Sequence, residues 1–298
     1  MEKVSDTTIE LLANTYDYFL FDCDGVIWEG ASEIEGSIKA LNYLKSLGKK
    51  LFFLSNNSTK SRKDYVTELG THGYTAEITS IISSSYTMAS LLATHYPTYK
   101  TAYIVGEKGL VEELEAVGIA CFGHSHDSKV DFTTLGDPKK IDIPHMDAVI
   151  VGLDKEYNYY KLFMASNMIL KGAKFFATNT DSFSKIGSHK YPGAGSMVTS
   201  IQAPTNVRPL VIGKPNVYFL DTIMAKEGLT NKDKHRILMV GDRMDTDIKF
   251  AENGQIDSCL VLTGATTLAE FQELKVKEGS LKPTYCMEKL GTFKVSNK

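Results

Sequence analysis

The sequence predicts an α/β protein: a parallel sheet covered by helices on both faces, with a second α/β domain inserted into it. Three observations lead there. Short apolar or β-branched runs alternate with stretches of helical period along almost the whole chain, as in strands joined by crossover helices. The 298 residues exceed what one hydrophobic core usually serves, so two domains are expected. The middle of the chain also carries a strand–helix alternation complete enough to form a layer of its own.

The elements follow in order. Residues 1–14 are polar and mixed in charge, with no apolar segment of the signal-peptide kind. Residues 17–22 read as a buried strand, residues 34–47 as a helix stopped by Gly48, and residues 50–55 (Lys-Leu-Phe-Phe-Leu-Ser) as the next strand. Helical patterns cover 62–70 and 86–94. In the middle block, strands are expected at 102–105, 148–153 and 174–179. Helices are expected at 110–117 and 157–170, and from about Ser196 after a Gly-rich loop. Beyond it, 209–214 reads as a strand, with Pro215 suited to the first turn of a helix running towards Gly228. Residues 236–242 form a strand, 247–253 a helix and 258–264 the last clear strand. Strands that are apolar throughout imply a parallel sheet buried on both faces. The economical division is a core domain of residues 1–86 and 209–298, interrupted by an insertion at 87–208.

Composition narrows the function classes. Hydrophobic residues make up 43% and charged residues 23%, as in soluble globular proteins. A net charge of −3 supplies no basic field for nucleic acid or an anionic membrane surface. No apolar run approaches the length that spans a bilayer. Cys23, Cys121, Cys259 and Cys286 are scattered and contain no CxxC pair, which fits reduced thiols in the cytoplasm.

Four segments at expected strand ends carry chemistry. Asp22-Cys23-Asp24-Gly25 delivers two carboxylates to a sheet edge and then turns. Such crowding of like charge calls for a divalent cation, after which one acid can attack and the other can handle a proton. An acidic turn is the plainer reading of these four residues alone. Ser55-Asn56-Asn57-Ser58 offers a hydroxyl, amides and backbone N–H groups to phosphate oxygens, or merely caps a turn. Lys214 could neutralise an anion beside carboxylates, or end as a solvated strand tip. Gly241-Asp242-Arg243-Met244-Asp245-Thr246-Asp247 spaces acids across a strand-to-helix turn. Asp245 or Asp247 could serve there as a helix cap, whereas Asp242 at the strand tip has no such explanation. Cys23, between two acids, is expected to point into the core as an unreactive thiol. His124 and His126 read as a solvated loop, and His189 as a loop residue that could meet substrate.

Taken in this order, Asp-x-Asp-Gly, Ser, Lys and Gly-Asp-x-x-x-x-Asp resemble the haloacid dehalogenase-like phosphohydrolase superfamily. The long insertion resembles its C2-type cap. Residues 22–28, 54–58, 212–215 and 241–247, with 177–181 and 192–195 in the insertion, look like the 4-nitrophenylphosphatase, phosphoglycolate phosphatase and pyridoxal phosphate phosphatase family. The resemblance covers about residues 17–264. It implies a Rossmann-like core, Asp22 as nucleophile, Asp24 as general acid and base, and Mg²⁺ held by Asp22, the Asp24 backbone carbonyl and Asp242. It further implies Asp247 supporting the metal site, and Ser55, Asn56, Asn57 and Lys214 binding the phosphoryl group. The expected substrate is a small phosphorylated metabolite, and the family's dimerisation through the cap implies a homodimer. An acid at position 24 favours a phosphatase, with phosphomutase or a non-catalytic phosphoryl-binding protein as the alternatives.

Overall fold

The computed structural model describes residues 7–137, 140–186, 189–276 and 281–293. The chain forms two compact units. The first comprises Met1–Ser55, Val66–Ile82 and Lys214–Lys298, and the second Asn56–Tyr65 and Ser83–Gly213.

The first unit is built on a six-stranded sheet. Its spatial order is Tyr285–Met287, Asp257–Val261, Ile237–Gly241, Tyr18–Asp22, Lys50–Ser55 and Ile81–Ser83. Pairings from Tyr285–Met287 through Lys50–Ser55 are all parallel. Counted along the chain this is the order 3-2-1-4-5-6 of a doubly wound sheet, whose switch point lies between Tyr18–Asp22 and Ile237–Gly241. Phe19, Leu20, Phe21, Leu238, Met239 and Val240 have no exposed surface, as expected of central strands covered on both faces. Aromatic rings supply much of this packing: Phe21 stacks on Phe53 with centroids 6.2 Å apart, and Phe53 meets Tyr74 edge-on at 5.3 Å.

The second unit has a five-stranded parallel sheet in the order Leu210–Val211, Lys174–Ala177, Ala148–Val151, Thr101–Val105 and Ala120–Gly123. Helices Tyr159–Leu170 and Ala194–Thr205 contribute Met164, Ala165, Met197, Val198 and Ile201 to a core with Val149 and Phe175. A two-stranded antiparallel hairpin, Phe183–Ile186 with His189–Pro192, occupies the stretch expected as a Gly-rich loop.

Several expectations are corrected. The segment before Lys214 is not a strand of the first sheet. Only Leu210–Val211 is extended, and it pairs with Lys174–Ala177 at the edge of the second sheet. Pro209 lacks the N–H of a central strand, and both strand residues are only half-buried. The following helix begins at Tyr218 rather than at Pro215, and ends at Gly228, which takes φ +66°. The helix expected at 247–253 is preceded by a π-helical turn, Met244–Ile248, and runs Lys249–Gly254. The last strand is Tyr285–Met287, not the one near 258. Residues 1–6 of the polar N-terminus lie outside the described residues, and helix Ile9–Thr15 follows them. Among the described residues no helix is long and apolar enough to cross a membrane.

Phe53 is fully buried on the strand beside Tyr18–Asp22 in the first sheet. Phe53→Ala should therefore lower the unfolding free energy by about 3–5 kcal/mol in urea titrations. A loss below about 1 kcal/mol would show that the Phe21–Phe53–Tyr74 contact carries little of this core.

Candidate active site

Strand register brings the acidic groups together. Asp22 is the last residue of its strand, Ser55 the last of the strand beside it, and Asp242 the first residue after Ile237–Gly241 on the other side. The three strands are parallel neighbours, so all three residues stand at one carboxyl edge, Asp22 and Asp242 flanking the switch point. Gly25 makes the turn after Asp24 in a left-handed conformation, φ +82°.

A single lysine serves two of the carboxylates. Lys214 Nζ donates to Asp22 Oδ1 and to Asp247 Oδ1, each at 2.7 Å. The lysine and Asp247 side chains are 2% and 0% exposed, and that of Asp22 is 13% exposed. Burial by itself would lower the Lys214 pKa, but the facing Asp22 and Asp247 charges outweigh it and drive the pKa up, which favours the charged ammonium. Asp247 reaches the lysine through the π-helical turn, in which Ile248 N donates to Arg243 O at 3.1 Å. The extra residue carries the Asp247 carboxylate back over the strand end, where its Oδ2 accepts from the N–H groups of Asp242 and Arg243 at 3.2 and 3.1 Å. Gly241 permits this approach, since a Cβ there would lie 2.2 Å from Asp247 Cβ.

Asp22, Asp242 and Asp247 each offer a carboxylate oxygen within 4.8 Å of the others. Burial is the largest influence on all three and raises their pKa values, that of Asp247 to about 6 against the pull of Lys214. Asp242 is raised furthest above the carboxylate range, because the Asp22 and Asp247 charges add to its burial. Its Oδ2 accepts from Ala265 N at 2.5 Å, but its Oδ1 is buried with no hydrogen-bond partner. A buried acceptor without a donor, among acids outnumbering the one lysine, fits a hard divalent cation. Both Asp247 oxygens already accept from protein donors, which suits support of the site better than ligation. Among the described residues no other group of acidic, His or Cys side chains converges in this way. His126 instead lies in the short helix His124–Asp127 with its Nδ1 3.0 Å from Asp127 Oδ1, and His189 is exposed opposite Ile186 in the hairpin.

Asp24 is exposed, and its Oδ1 accepts from the indole Nε1 of Trp28 at 3.0 Å. Trp28 is fully buried, so it fixes the direction of that carboxylate. Trp28 is a site residue that sequence reasoning misses, since a hydrogen bond across the Gly25 turn leaves no signal in the local pattern. Cys23 lies in the core, its thiol pushed well above its ordinary pKa by burial and then by Asp22 and Asp24, which makes it a poor nucleophile. Asn56 and Asn57 belong to the second unit. Asn57 Oδ1 accepts from Thr59 N and Oγ1 at 3.0 and 2.8 Å, and Asn56 Nδ2 donates to Asp181.

Comparison with known proteins agrees with this geometry. Residues 19–120 match the family model of haloacid dehalogenase-like hydrolases, and residues 211–293 match a second model of the same kind. Phosphoglycolate phosphatase 1A of Arabidopsis thaliana, a chloroplastic protein, is 37% identical over 287 residues, 95% of this chain and 77% of that one. A 4-nitrophenylphosphatase of Schizosaccharomyces pombe is 35% identical over 92% of each chain. Among solved structures, 4-nitrophenylphosphatase of Thermotoga maritima superposes with a TM-score of 0.78 at 30% identity, covering 94% of this chain and 97% of that one. The magnesium complex of a glycerol phosphate phosphatase from Mycobacterium tuberculosis gives 0.77 at 28% identity, over 94% and 76%. With the acids and the lysine gathered at the switch point of its sheet, this chain belongs to the haloacid dehalogenase-like phosphatases, C2-capped phosphoric monoester hydrolases.

Proposed function

We propose that this phosphatase is Mg²⁺-dependent and hydrolyses small phosphate monoesters, phosphoglycolate foremost, through an aspartyl-phosphate on Asp22. The observation that carries the metal reading is Asp242 Oδ1, buried without a donor beside Asp22. Asp22, the Asp24 backbone carbonyl and Asp242 would hold the ion, with Asp247 steadying Asp242 through its backbone N–H. A bound Mg²⁺ supplies charge neutralisation for the phosphoryl oxygens. The magnesium complex of the Mycobacterium relative supports that choice of ion.

The chain's own residues supply the rest. An Asp22 carboxylate oxygen attacks phosphorus as the bond to the leaving oxygen breaks, and the Asp24 carboxyl gives that oxygen its proton. The Asp24 carboxylate then takes a proton from a water that attacks the phosphoryl group, releasing inorganic phosphate and restoring Asp22. Trp28 keeps Asp24 oriented in both steps. Ser55, Asn56, Asn57 and Lys214 bind the transferring group. Lys214, which donates to one Asp22 oxygen, favours the ionised form of the attacking residue against its burial.

The relatives divide over the leaving group. Names among them include phosphoglycolate, 4-nitrophenyl and glycerol-3-phosphate phosphatases. Phosphoglycolate leads because phosphoglycolate phosphatase 1A shares 37% identity with this chain, against 35% for the 4-nitrophenylphosphatase of Schizosaccharomyces pombe. Ranking kcat/KM for phosphoglycolate, glycerol 3-phosphate, pyridoxal 5′-phosphate and 4-nitrophenyl phosphate, with Mg²⁺ and with EDTA, decides the substrate class. The cytoplasm is the compartment proposed, on the scattered cysteines, and a homodimer formed through the cap is the proposed assembly.

Asp22→Asn should abolish phosphate release, by about 10³-fold or more, while leaving the melting curve intact. Turnover retained by the folded variant would remove Asp22 as the nucleophile. Saturating Mg²⁺ should stabilise the wild type by about 2.7 kcal/mol at one hundred times its dissociation constant. Asp242→Asn should lose that gain in thermal melts, and an equal gain in the variant would take Asp242 out of the metal site. In metal-free protein Lys214→Met strands buried carboxylates without their cation and should cost about 3–5 kcal/mol in denaturant unfolding. Wild-type stability in that variant would mean the Asp22–Lys214–Asp247 contacts are energetically idle.

A further inference from the structure

The two chain segments that adjoin the phosphoryl-binding groups are tied together inside the second unit. Asn56 directly follows Ser55, and Gly213 directly precedes Lys214. The Asn56 carbonyl accepts from Asn179 Nδ2 at 2.7 Å and from Ser84 Oγ at 2.8 Å. The Asn56 side-chain Nδ2 donates to both oxygens of Asp181, each at 3.2 Å. Asp181 N donates in turn to Asn179 Oδ1 at 3.0 Å, so Asn179 links the Asp181 backbone to the Asn56 carbonyl. Gly213 N donates to Thr178 O at 2.7 Å, and a Cβ on Gly213 would lie 2.6 Å from Asn56 Oδ1. Asn56 and Asn179 are only 8% and 3% exposed.

This geometry fixes the orientation of Asn56. Its amide nitrogen serves a carboxylate through two contacts, and its amide oxygen packs on Gly213. An ionised acceptor makes the stronger hydrogen bond, and two contacts fix the amide plane as well as its position. The side chain is thereby committed to Asp181, and what Asn56 offers a phosphoryl oxygen is its backbone N–H, on the peptide that joins it to Ser55.

We propose that Asp181 is a positioning residue of the phosphatase: by holding the Asn56 side chain, while Asn179 holds the Asn56 carbonyl, it fixes the Ser55–Asn56 peptide that binds the transferring phosphoryl group. The proposal rests on the phosphoryl-binding reading of Ser55 and Asn56 given above. A slightly rotated peptide would still admit substrate but would meet the trigonal-bipyramidal phosphorus badly, so the loss should fall on kcat rather than KM.

The test uses the full-length, Mg²⁺-loaded enzyme with 4-nitrophenyl phosphate. Asp181→Ala should lower kcat about 10- to 100-fold, the range for partners that orient a working group, with KM within about threefold. Inhibition by orthovanadate should weaken by the same factor as kcat. Asp181→Asn keeps an acceptor oxygen for the Asn56 amide and should recover most of kcat. Hydrogen–deuterium exchange of the peptide spanning residues 55–58 should rise in Asp181→Ala and stay low in Asp181→Asn. If Asp181→Ala does not fold, Asn56→Ala removes the same contact from the other side and carries the same kinetic expectation. Unchanged kcat and vanadate inhibition in the folded variant, whatever its melting temperature, would overturn the proposal and leave Asp181 a structural residue. If the wild type hydrolyses no ester, the functional reading fails instead, and exchange at 55–58 alone then decides whether Asp181 holds Asn56.

Discussion

Three carboxylates buried around one ammonium set the terms for the rest of the first unit. At an effective dielectric constant of about 20, two like charges 4 Å apart repel by about 4 kcal/mol, before either is charged for leaving water. Asp22, Asp242 and Asp247 each bring a carboxylate oxygen within 4.8 Å of the others, and Lys214 answers two of them at 2.7 Å. The third, Asp242, is left with a backbone N–H on one oxygen and nothing on the other. The protein therefore holds in folded form a cluster short of positive charge. A cluster in that condition favours whatever brings a cation to it, and a metal accompanied by a phosphoryl oxygen is a natural occupant.

Holding such a cluster requires a rigid frame. Phe19, Leu20 and Phe21 on one strand and Leu238, Met239 and Val240 on its neighbour are fully buried, so the strand ends that present Asp22 and Asp242 cannot move without disturbing the core. The switch point supplies the space: crossover connections leave the sheet in opposite directions there and leave a crevice between the two strand tips. The π-helical turn at Met244–Ile248 then brings Asp247 back over the crevice, which a regular helix beginning at the same place would carry past it. Each device is local, but none would place an acid usefully without the central strands.

The same physical division explains which parts of the molecule the sequence reveals. Strand Lys50–Ser55 is legible to the residue because its buried centre, Leu51 to Leu54, is apolar throughout and its two ends are polar. Asp22, Asp24, Ser55 and Asp242 stand out jointly: each of the first three has an ordinary turn explanation alone, but polar groups in that order at successive strand ends do not. Tyr285–Met287 and Leu210–Val211 escape notice because three and two residues carry no period, and their strand character comes from a neighbour already in place. Lys214 was recognised as a site residue even though its strand was assigned to the wrong sheet. Its function depends on reaching Asp22 and Asp247, which the chain accomplishes from a turn as well as from a strand tip. The Trp28–Asp24 and Asp181–Asn56 contacts were invisible for a different reason. A hydrogen bond across a turn, or across 125 positions, leaves no trace in local pattern.

Inserting a domain into a catalytic fold usually raises the question of how the host site survives the interruption. Here the chain passes between the two units four times, and the first and last of these passages lie between Ser55 and Asn56 and between Gly213 and Lys214. Both passages therefore touch residues that bind the phosphoryl group in the reading advanced above. A flexible linker at either place would loosen the group beside it, since a few degrees of backbone rotation move a side chain by the ångström that separates productive from unproductive geometry. The bonds from Asn179, Ser84 and Asp181 to Asn56, and from Gly213 to Thr178, remove that freedom at both passages with residues of the inserted unit. An insertion that brings its own anchors for the linkers can interrupt the chain beside the strand ends without surrendering the precision that chemistry there demands.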